Sequence, residues 1–395
     1  MLDKNAIVGI IGSGAMGAGI AQVAATAGYQ VLVFDSNAAA LEKANANWQS
    51  AITKLVEKNK ISTATGDVVL SKLKTTTQLE DLKNCNIVIE AIVEDIDVKR
   101  KVFSDTEKVV AENCVLASNT SSLSITLIAS ACKNPERVIG IHFFNPATIM
   151  PLVEIIPALS TQNEVTVACK NLVDSWGKTT VIAKDTPGFI VNRVARSFYG
   201  ESIRIYEEGI ADFATIDWAM KEFGNFRMGP FELMDFIGND VNYKVTETVW
   251  QQFFYEQRFK PSLTQKRLYE AKHFGRKSGK GYYDYSKGAV MPLPNKNEAL
   301  GKQIFNRVIA MLINEAIDAY HLKLASKEDL EIAMEKGVNY PKGLLQWATE
   351  IGLENILKML TDLYTEYGED RYRPAVLLKK MVREGKYFYE KSFWH

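Results

Sequence analysis

The chain lacks an excess of charge of either sign, and it lacks a long apolar segment. Lys and Arg number 47 and Asp and Glu also number 47, so the 395 residues carry no net charge at neutral pH. This balance gives no support for nucleic acid as a partner. No apolar run reaches the roughly 18 residues that span a bilayer, which predicts a protein without a membrane segment.

Cysteine and histidine are also scarce, with four of each. Cys85, Cys114, Cys132 and Cys169 show no metal-ligand spacing, so we expect reduced thiols and no bound metal. The chain enters a strand pattern directly, without a signal peptide, and we therefore expect a cytoplasmic protein. His142 is the first histidine in the chain. Histidine is the side chain that most readily exchanges protons near neutral pH.

A glycine-rich loop follows the first strand pattern. The apolar run Ala6–Ile11 precedes the loop, a helical pattern Ala18–Ala27 follows it, and a second strand pattern Tyr29–Phe34 ends in Asp35. The loop residues are Gly12, Ser13, Gly14, Ala15, Met16 and Gly17. Three glycines at these positions, opening a helix after a strand and followed by an acid, predict a dinucleotide site in a Rossmann-like unit.

The residue types in this loop have specific uses in dinucleotide binding. Gly12 allows the tight turn, Gly14 lets the backbone approach a pyrophosphate, and Gly17 lets the helix pack on the strand. Asp35 is placed to accept hydrogen bonds from ribose hydroxyls and to repel a 2′-phosphate. Because the next residues, Ser36 and Asn37, offer no arginine, NAD is favoured over NADP as the cofactor.

Residues 38–75 depart from a minimal Rossmann unit. They predict two charged helices, Ala38–Asn59 and Thr65–Lys72, with Lys54, Lys58 and Lys60 close together. Either these lysines lie on an ordinary solvent-exposed face, or the two helices form an arm that contacts a phosphate-bearing substrate.

Polar groups follow two further strand patterns. Glu94 comes shortly after the strand pattern Asn86–Ile92, and Asn119–Ser122 follows the strand pattern Val115–Ser118. Ligands of open α/β sheets bind at the carboxyl ends of strands. These residues are therefore candidates for cofactor or substrate contacts, although a serine or threonine there also serves as a helix cap.

His142 has a candidate acidic partner twelve residues later. Val138–Ile141 leads into His142, and Glu154 lies in the apolar segment Leu152–Ile156. Two short strands joined by the intervening turn would bring the side chains together. A carboxylate beside an imidazole holds its tautomer and stabilises the imidazolium. A structural pair or a solvent-facing glutamate is the alternative.

The pattern changes near residue 185, after which the chain is predicted to be helical. The fold class is an α/β Rossmann-like N-terminal domain (1–184) followed by two tandem all-α domains (185–285 and 298–395), with a linker at 286–297. Asn192 falls in the first turn of the first helical domain, beside the boundary, where small molecules often bind.

The prediction of two helical domains is based on an internal repeat. Asn192-Arg193-Val194 recurs as Asn306-Arg307-Val308, and Ile237-Gly238 as Ile351-Gly352, both at an offset of 114 residues. This period is far longer than a solenoid unit and indicates a duplicated domain. Two copies in one chain predict a monomer with an internal pseudo-dimer, and a homodimer is the alternative.

An ordered set of motifs over residues 5–285 resembles the L-3-hydroxyacyl-CoA dehydrogenases, and the second helical copy resembles their longer bacterial members. The motifs are Gly12–Gly17, Glu90-Ala91, Ser118–Leu123, His142–Pro146, Leu152–Glu154, Asp185–Arg193, Met228–Leu233 and Gly275–Tyr283. The resemblance implies NAD-dependent, reversible oxidation of a 3-hydroxyacyl-CoA.

The resemblance also implies roles for individual residues. His142 would be the general base, Glu154 would orient it, Ser121 would bind the substrate oxygen, and Asn192 would hold the acyl group. The implied cofactor contacts outside the glycine loop and Asp35 are Glu94, Lys99, Asn145 and Lys277. The implied contacts with the acyl-CoA are Lys54 and Lys58, together with Ser121 and Asn192.

One departure leaves the substrate open. Arg227 stands where the motif predicts proline, and the second copy has Pro341 there. A short-chain substrate such as 3-hydroxybutyryl-CoA is expected, with 3-hydroxyadipyl-CoA as the alternative because Arg227 is suited to an acyl carboxylate. A sugar-acid dehydrogenase of the gulonate type and a non-enzymatic NAD-binding protein are further alternatives.

Overall fold

The computed structural model describes residues 2–390, which form two compact units that meet in the chain between Phe189 and Ile190. The first unit is α/β and the second is helical, as the sequence predicts. No helix in this part of the chain is long and apolar enough to cross a membrane.

The first unit is built on one eight-stranded sheet in the order β3-β2-β1-β4-β5-β6-β7-β8. Its neighbouring strands are parallel except for the antiparallel pair β6 and β7. The strands are β1 (Ile7–Ile11), β2 (Gln30–Phe34), β3 (Leu73–Thr76), β4 (Ile87–Glu90), β5 (Val115–Ser118), β6 (Val138–Phe143), β7 (Leu152–Pro157) and β8 (Thr179–Ile182). The central strands are apolar runs because both faces of a parallel sheet are covered.

The strand order reverses beside β1. From β1 the chain first builds outward through β2 and β3, and it then returns to place β4 on the other side of β1. Such a reversal opens a crevice at the carboxyl ends of the two strands. The loops after β1 and β4 therefore lie where a ligand is expected.

The helices of the first unit cover this sheet and add the predicted arm. They are α1 (Ala15–Thr26), α2 (Ala38–Glu57), α3 (Thr63–Lys72), α4 (Ile96–Glu107), α5 (Ile125–Ala129) and α6 (Asn163–Ser175). The arm, α2 and α3, turns one apolar face inward at helical spacing, and Trp48 Nε1 donates to the carbonyl of Ala18 at 2.9 Å. The arm is therefore attached to α1.

Two strands and a helix break differ from the sequence-based prediction. The strands β3 and β8 form the two edges of the sheet, and both are short and only partly buried, so they lack a clear apolar pattern. The long helix expected from Phe189 onward is divided, because α7 (Val191–Val194) ends at Ala195 before α8 (Arg196–Glu207) begins.

The second unit packs its helices around one central helix, α13 (Glu298–His321). Besides α7 and α8, the helices around it are α9 (Phe213–Gly224), α10 (Pro230–Ile237), α11 (Asn239–Gln252), α12 (Leu263–Glu270), α14 (Lys327–Gly337), α15 (Leu344–Ile351), α16 (Leu353–Tyr367) and α17 (Val376–Glu384). The helix α13 is buried on nearly all sides along its middle and contacts helices of both predicted copies, including α8, α9, α15 and α16.

The two copies contact each other reciprocally. Arg193 Nε lies 2.6 Å from Glu315 Oε1, and Arg307 Nε lies 2.6 Å from Glu201 Oε1. Both members of the second pair follow from the first by the offset of 114 residues, as in an isologous dimer interface. The copies thus share one compact unit by their contacts, and the predicted domain boundary at residue 185 remains a prediction. Their treatment as two tandem domains remains a prediction.

Candidate active site

In the glycine loop after β1 (residues 12–17), neighbouring protein atoms leave no room for a side chain at two of the glycines but leave room at the third. A Cβ on Gly12, whose φ is +98°, would lie 2.7 Å from the carbonyl oxygen of Ala91. A Cβ on Gly17 would lie 1.9 Å from the carbonyl oxygen of Gly12. A Cβ on Gly14 would meet nothing within 4 Å, and Gly14 is exposed. The protein itself thus leaves space beside the Gly14 backbone.

This space faces the start of α1. The helix begins at Ala15, Gly14 supplies no side-chain cap, and the first turn contains no acid. Ser13 is buried, Ala15 is exposed and Met16 is half-buried. The backbone N–H groups of an uncapped helix N-terminus bind phosphate groups well. The loop therefore fits the pyrophosphate of a dinucleotide.

Asp35 lies at the end of β2, beside the same loop. Its Oδ2 accepts hydrogen bonds from Ser13 N and Ser13 Oγ, both at 2.8 Å, and its Oδ1 accepts one from Asn37 N at 3.0 Å. Burial acts to raise the pKa of Asp35, but the hydrogen bonds from Asn37 and Ser13 outweigh it and hold the pKa below its usual range. The carboxylate is charged at neutral pH, which suits ribose hydroxyls and opposes a 2′-phosphate.

The antiparallel strands β6 and β7 bring His142 and Glu154 together. The two residues are paired directly in the register, and His142 Nδ1 lies 2.7 Å from Glu154 Oε2. This is the contact that the strand spacing predicts. His142 is 5 % exposed and Glu154 is fully buried. With the carboxylate at Nδ1, the neutral imidazole carries its proton there, and Nε2 has the lone pair of a base.

Aromatic rings pack against the imidazole of His142. The ring of Phe144 lies 4.5 Å away and that of Phe189 lies 5.8 Å away, measured between centroids. The strand β6, which carries His142, is also connected to the end of β5, because Asn119 Oδ1 accepts a hydrogen bond from Phe143 N at 2.8 Å. The imidazole is therefore held by its own strand, its carboxylate and two apolar rings.

Glu94 connects the ends of β4 and β5. Its Oε1 accepts hydrogen bonds from Thr120 Oγ1 at 2.6 Å, Ser121 N at 3.0 Å and Ser122 Oγ at 3.1 Å, and a longer one from Ser121 Oγ at 3.3 Å. Burial acts to raise the pKa of Glu94, but the Lys99 charge and these hydrogen bonds lower it overall. Two residues predicted separately, Glu94 and Ser121, thus meet at the carboxyl edge of the sheet.

Lys99 is buried beneath Glu94. Its ammonium lies 2.6 Å from Glu90 Oε1 and 3.4 Å from Glu94 Oε2, and its side chain is 1 % exposed. Ser118 Oγ donates to Glu90 Oε2 at 2.7 Å. Lys99 therefore positions two carboxylates, and its direct contact with a cofactor remains a prediction. Glu90 has no role among the residues predicted from the sequence, although an acid that ends a fully buried strand is a signal of a buried ion pair.

The other predicted contacts lie in separate places. Asn145 is exposed in the β6–β7 turn, and Lys54 and Lys58 are exposed at the C-terminal end of α2. In the second unit, Asn192 is half-buried in α7, and Lys277 lies 2.6 Å from Asp240 Oδ1.

Family models match nearly the whole chain. The 3-hydroxyacyl-CoA dehydrogenase NAD-binding domain matches residues 7–186, and the C-terminal domain of the same family matches residues 188–285 and 304–392. The chain belongs to the 3-hydroxyacyl-CoA dehydrogenase family. The NAD cofactor, the reaction class and the Rossmann-like fold predicted from the sequence are thereby confirmed. The double match of the C-terminal model agrees with the internal repeat.

Two relatives match this chain over almost the full length of both chains. A 3-hydroxyadipyl-CoA dehydrogenase of Escherichia coli (strain K12) is 37 % identical over 96 % of this chain and 98 % of its own. The crystal structure of a 3-hydroxybutyryl-CoA dehydrogenase from the same strain has a TM-score of 0.90 at 36 % identity, covering 96 % and 99 % of the two chains.

Other relatives are longer. The fatty acid oxidation complex subunit alpha of Shewanella amazonensis is 34 % identical over 96 % of this chain, which spans only 56 % of that subunit. The chain therefore corresponds to about half of such a subunit.

Proposed function

We propose that His142 is the general base that takes the proton of the substrate's 3-hydroxyl during oxidation of an L-3-hydroxyacyl-CoA. Bound NAD supplies the acceptor for the hydride from C3, and the C3–O bond becomes a carbonyl. In the reverse direction His142 returns the proton to the oxygen. The observation that supports this role most is the buried Nδ1–Glu154 contact, which directs the lone pair of the base to Nε2.

Glu154 acts through His142. Its carboxylate fixes the tautomer and balances the positive charge that the imidazole acquires with the substrate proton. It is fully buried and paired with His142 in the register of β6 and β7. Both effects raise the rate without a contact between Glu154 and the substrate, so Glu154 is a positioning residue.

Ser121 and Asn192 complete the proposed set. The Ser121 hydroxyl donates to Glu94 at 3.3 Å, which is a weak hydrogen bond that a substrate oxygen can replace. For Asn192 we keep the role of holding the acyl group, which rests on its place in the family motif. The proposed cofactor contacts are Gly12, Ser13, Gly14, Ala15, Met16, Gly17, Asp35, Glu94, Lys99, Asn145 and Lys277. The proposed acyl-CoA contacts on the arm are Lys54 and Lys58.

The substrate is proposed to be a short acyl chain such as 3-hydroxybutyryl-CoA. The relative from Escherichia coli named for 3-hydroxyadipyl-CoA supports the alternative, a chain that ends in a carboxylate. Arg227 is exposed in the loop between α9 and α10 and is the candidate cation for that carboxylate.

One comparison of substrates tests both the reaction and the chain length. The formation of NADH is followed with 3-hydroxybutyryl-CoA, 3-hydroxyadipyl-CoA and 3-hydroxyhexanoyl-CoA, which matches the adipyl chain in length but lacks its charge. A preference for adipyl over hexanoyl that disappears in Arg227→Met establishes the dicarboxylate substrate. Turnover of gulonate without turnover of any thioester would contradict the proposed function.

The protein is proposed to be a cytoplasmic monomer. The reciprocal pairs Arg193–Glu315 and Arg307–Glu201 already fill, within one chain, an interface of the kind that two subunits make. All four cysteines are free, as is usual in the cytoplasm. Light scattering at micromolar concentration is expected to give the mass of one chain, and a stable dimer would contradict the assignment.

A further inference from the structure

A buried ion pair lies beneath the ends of β4 and β5 in the first unit. Glu90 and Lys99 are both 1 % exposed. The Lys99 ammonium lies 2.6 Å from Glu90 Oε1 but 3.4 Å from Glu94 Oε2. One ammonium thus faces two carboxylates, and it is closer to the one that is buried. In their ionised forms the three side chains carry one net negative charge.

Glu90 has both of its oxygen atoms occupied inside the protein. Besides the Lys99 ammonium, Oε1 accepts a hydrogen bond from Ile92 N at 2.7 Å, and Oε2 accepts one from Ser118 Oγ at 2.7 Å. These donors come from the loop after β4, from α4 and from the end of β5. Because Glu90 is buried, it can influence a ligand only through the groups that it holds.

The carboxylate of Glu94 is the more accessible of the two, because its side chain is 39 % exposed. Burial acts to raise the pKa of Glu94, but the Lys99 charge and the hydrogen bonds from the loop after β5 lower it overall. Glu94 is therefore charged at neutral pH. Since Lys99 is nearer to Glu90, it balances the charge of Glu94 only in part.

The strand order places Glu94 on one particular side of the glycine loop. That loop follows β1, Asp35 follows β2 on one side of it, and Glu94 and Ser121 follow β4 and β5 on the other side. A dinucleotide that has its pyrophosphate at the loop and its adenosine ribose at Asp35 extends its nicotinamide toward β4 and β5. The partly balanced charge of Glu94 thus lies on the nicotinamide side of the crevice.

The nicotinamide ring differs in charge between the two forms of the cofactor, being positive in oxidised NAD and neutral in NADH. A carboxylate without a full counter-charge attracts only the positive ring, and buried charges are screened less than exposed ones. The His142–Glu154 pair and the Lys178 ammonium, which donates to two carbonyls of the β6–β7 turn, belong to the same edge of the sheet. Substitutions at Glu90 leave these groups in place.

We propose that Glu90 is a positioning residue that draws Lys99 away from Glu94, so that one negative charge remains on the nicotinamide side and strengthens the binding of oxidised NAD relative to NADH. Without the charge of Glu90, Lys99 has Glu94 as its nearest acid, and the two charges cancel. The inference rests on the proposed contact of Glu94 with the cofactor. It does not depend on proton transfer by His142.

Cofactor binding to the full chain in the absence of substrate tests this proposal. Fluorescence titration gives the dissociation constant of NADH, and displacement of NADH gives that of oxidised NAD. Glu90→Gln keeps the shape of the side chain but removes its charge, so the binding of NAD should weaken about tenfold more than that of NADH. A structural defect alone would weaken both cofactors and leave the ratio of the two constants unchanged.

A double variant separates the effect of charge from that of structure. Glu90→Gln combined with Lys99→Met removes both members of the buried pair, so the net charge returns to that of the wild type. The ratio of the two dissociation constants should return to the wild-type value, even if both constants rise. Glu94→Gln removes the same charge at a partly exposed position and should shift the ratio as Glu90→Gln does. The double variant and Glu94→Gln carry the test if Glu90→Gln does not fold.

Glu107→Gln is the matched control, because Glu107 is also a largely buried acid of α4, 3.3 Å from Arg137, but lies at the other end of the helix. A ratio that shifts in Glu90→Gln and Glu94→Gln but not in Glu107→Gln or the double variant supports the proposal. A wild-type ratio in Glu90→Gln or Glu94→Gln, or a shifted ratio in the double variant, would overturn it. The expected ratios without turnover of any thioester would contradict only the proposed function.

Discussion

Buried charges serve different purposes in the two units. In the sheet unit, His142 has one nitrogen bound to Glu154, and its other nitrogen is assigned to chemistry. In the helical unit, Arg193 and Glu315 each have more than one charged partner. Both arrangements offset the desolvation of buried groups. A network of shared ion pairs stabilises a fold, whereas a pair that keeps one lone pair available can exchange a proton with a ligand.

The largest effect is expected from breaking the ion-pair network around Glu315. Glu315→Gln leaves Arg193 and Arg258 with Asp318 as their shared acid, at 3.2 and 3.4 Å. Loss of one member of a buried ion pair costs about 3–5 kcal/mol of unfolding free energy. Urea denaturation measures this loss, and turnover per folded molecule should stay unchanged. Glu298→Gln, in an exposed pair with Lys302, is the control that should change little.

The next effect concerns His142. His142→Gln removes the base but not the cofactor site, so turnover should fall by roughly two or more decades while NADH binds normally. Stopped-flow turnover and NADH fluorescence titration measure the two quantities. His321→Gln, an exposed histidine on α13, is the matched control. Turnover of His142→Gln near that of the wild type would remove the assigned role.

Substitution of two glycines of the loop is expected to have different effects, one on cofactor binding and the other on stability. Gly14→Ala adds a methyl group that meets no protein atom within 4 Å, and the φ of −64° suits alanine. It should weaken NADH binding about tenfold, because the backbone no longer approaches the pyrophosphate closely. Gly17→Ala places the methyl group 1.9 Å from a carbonyl oxygen and should lower stability instead. Equal losses of stability in Gly14→Ala and Gly17→Ala would contradict the different roles of the two glycines.

The smallest effect is a pH dependence. The folded protein holds the pKa of Glu94 below its ordinary value of 4.5. A lowered pKa means that this stabilisation is complete above the unfolded pKa and is lost as pH falls through the folded one. Denaturation experiments from pH 6 downward give the free energy of unfolding at each pH. Below about pH 4.5, this free energy should decrease less steeply with falling pH for Glu94→Gln than for the wild type. Parallel slopes would show that Glu94 contributes nothing.

Local patterns made much of the site predictable. The glycine loop and Asp35 follow one another in the chain, and an antiparallel turn brings His142 beside Glu154 after only twelve residues. Contacts between distant segments carried no such signal. The Lys99–Glu90 pair depends on how α4 covers β4, and Arg193 meets Glu315 across 122 residues. The edge strands β3 and β8 were missed because partial burial leaves no apolar pattern.

Glu154 is proposed to act only through His142. A double-mutant cycle in kcat/KM tests it most directly, using His142→Gln, Glu154→Gln and the double variant. Glu154→Gln alone should lower kcat by about ten- to a hundredfold with KM nearly unchanged, since it misorients the base. The double variant should then be no slower than His142→Gln, because a positioning residue has nothing left to position. Losses that multiply would show that Glu154 acts independently of His142, which would contradict its role as a positioning residue.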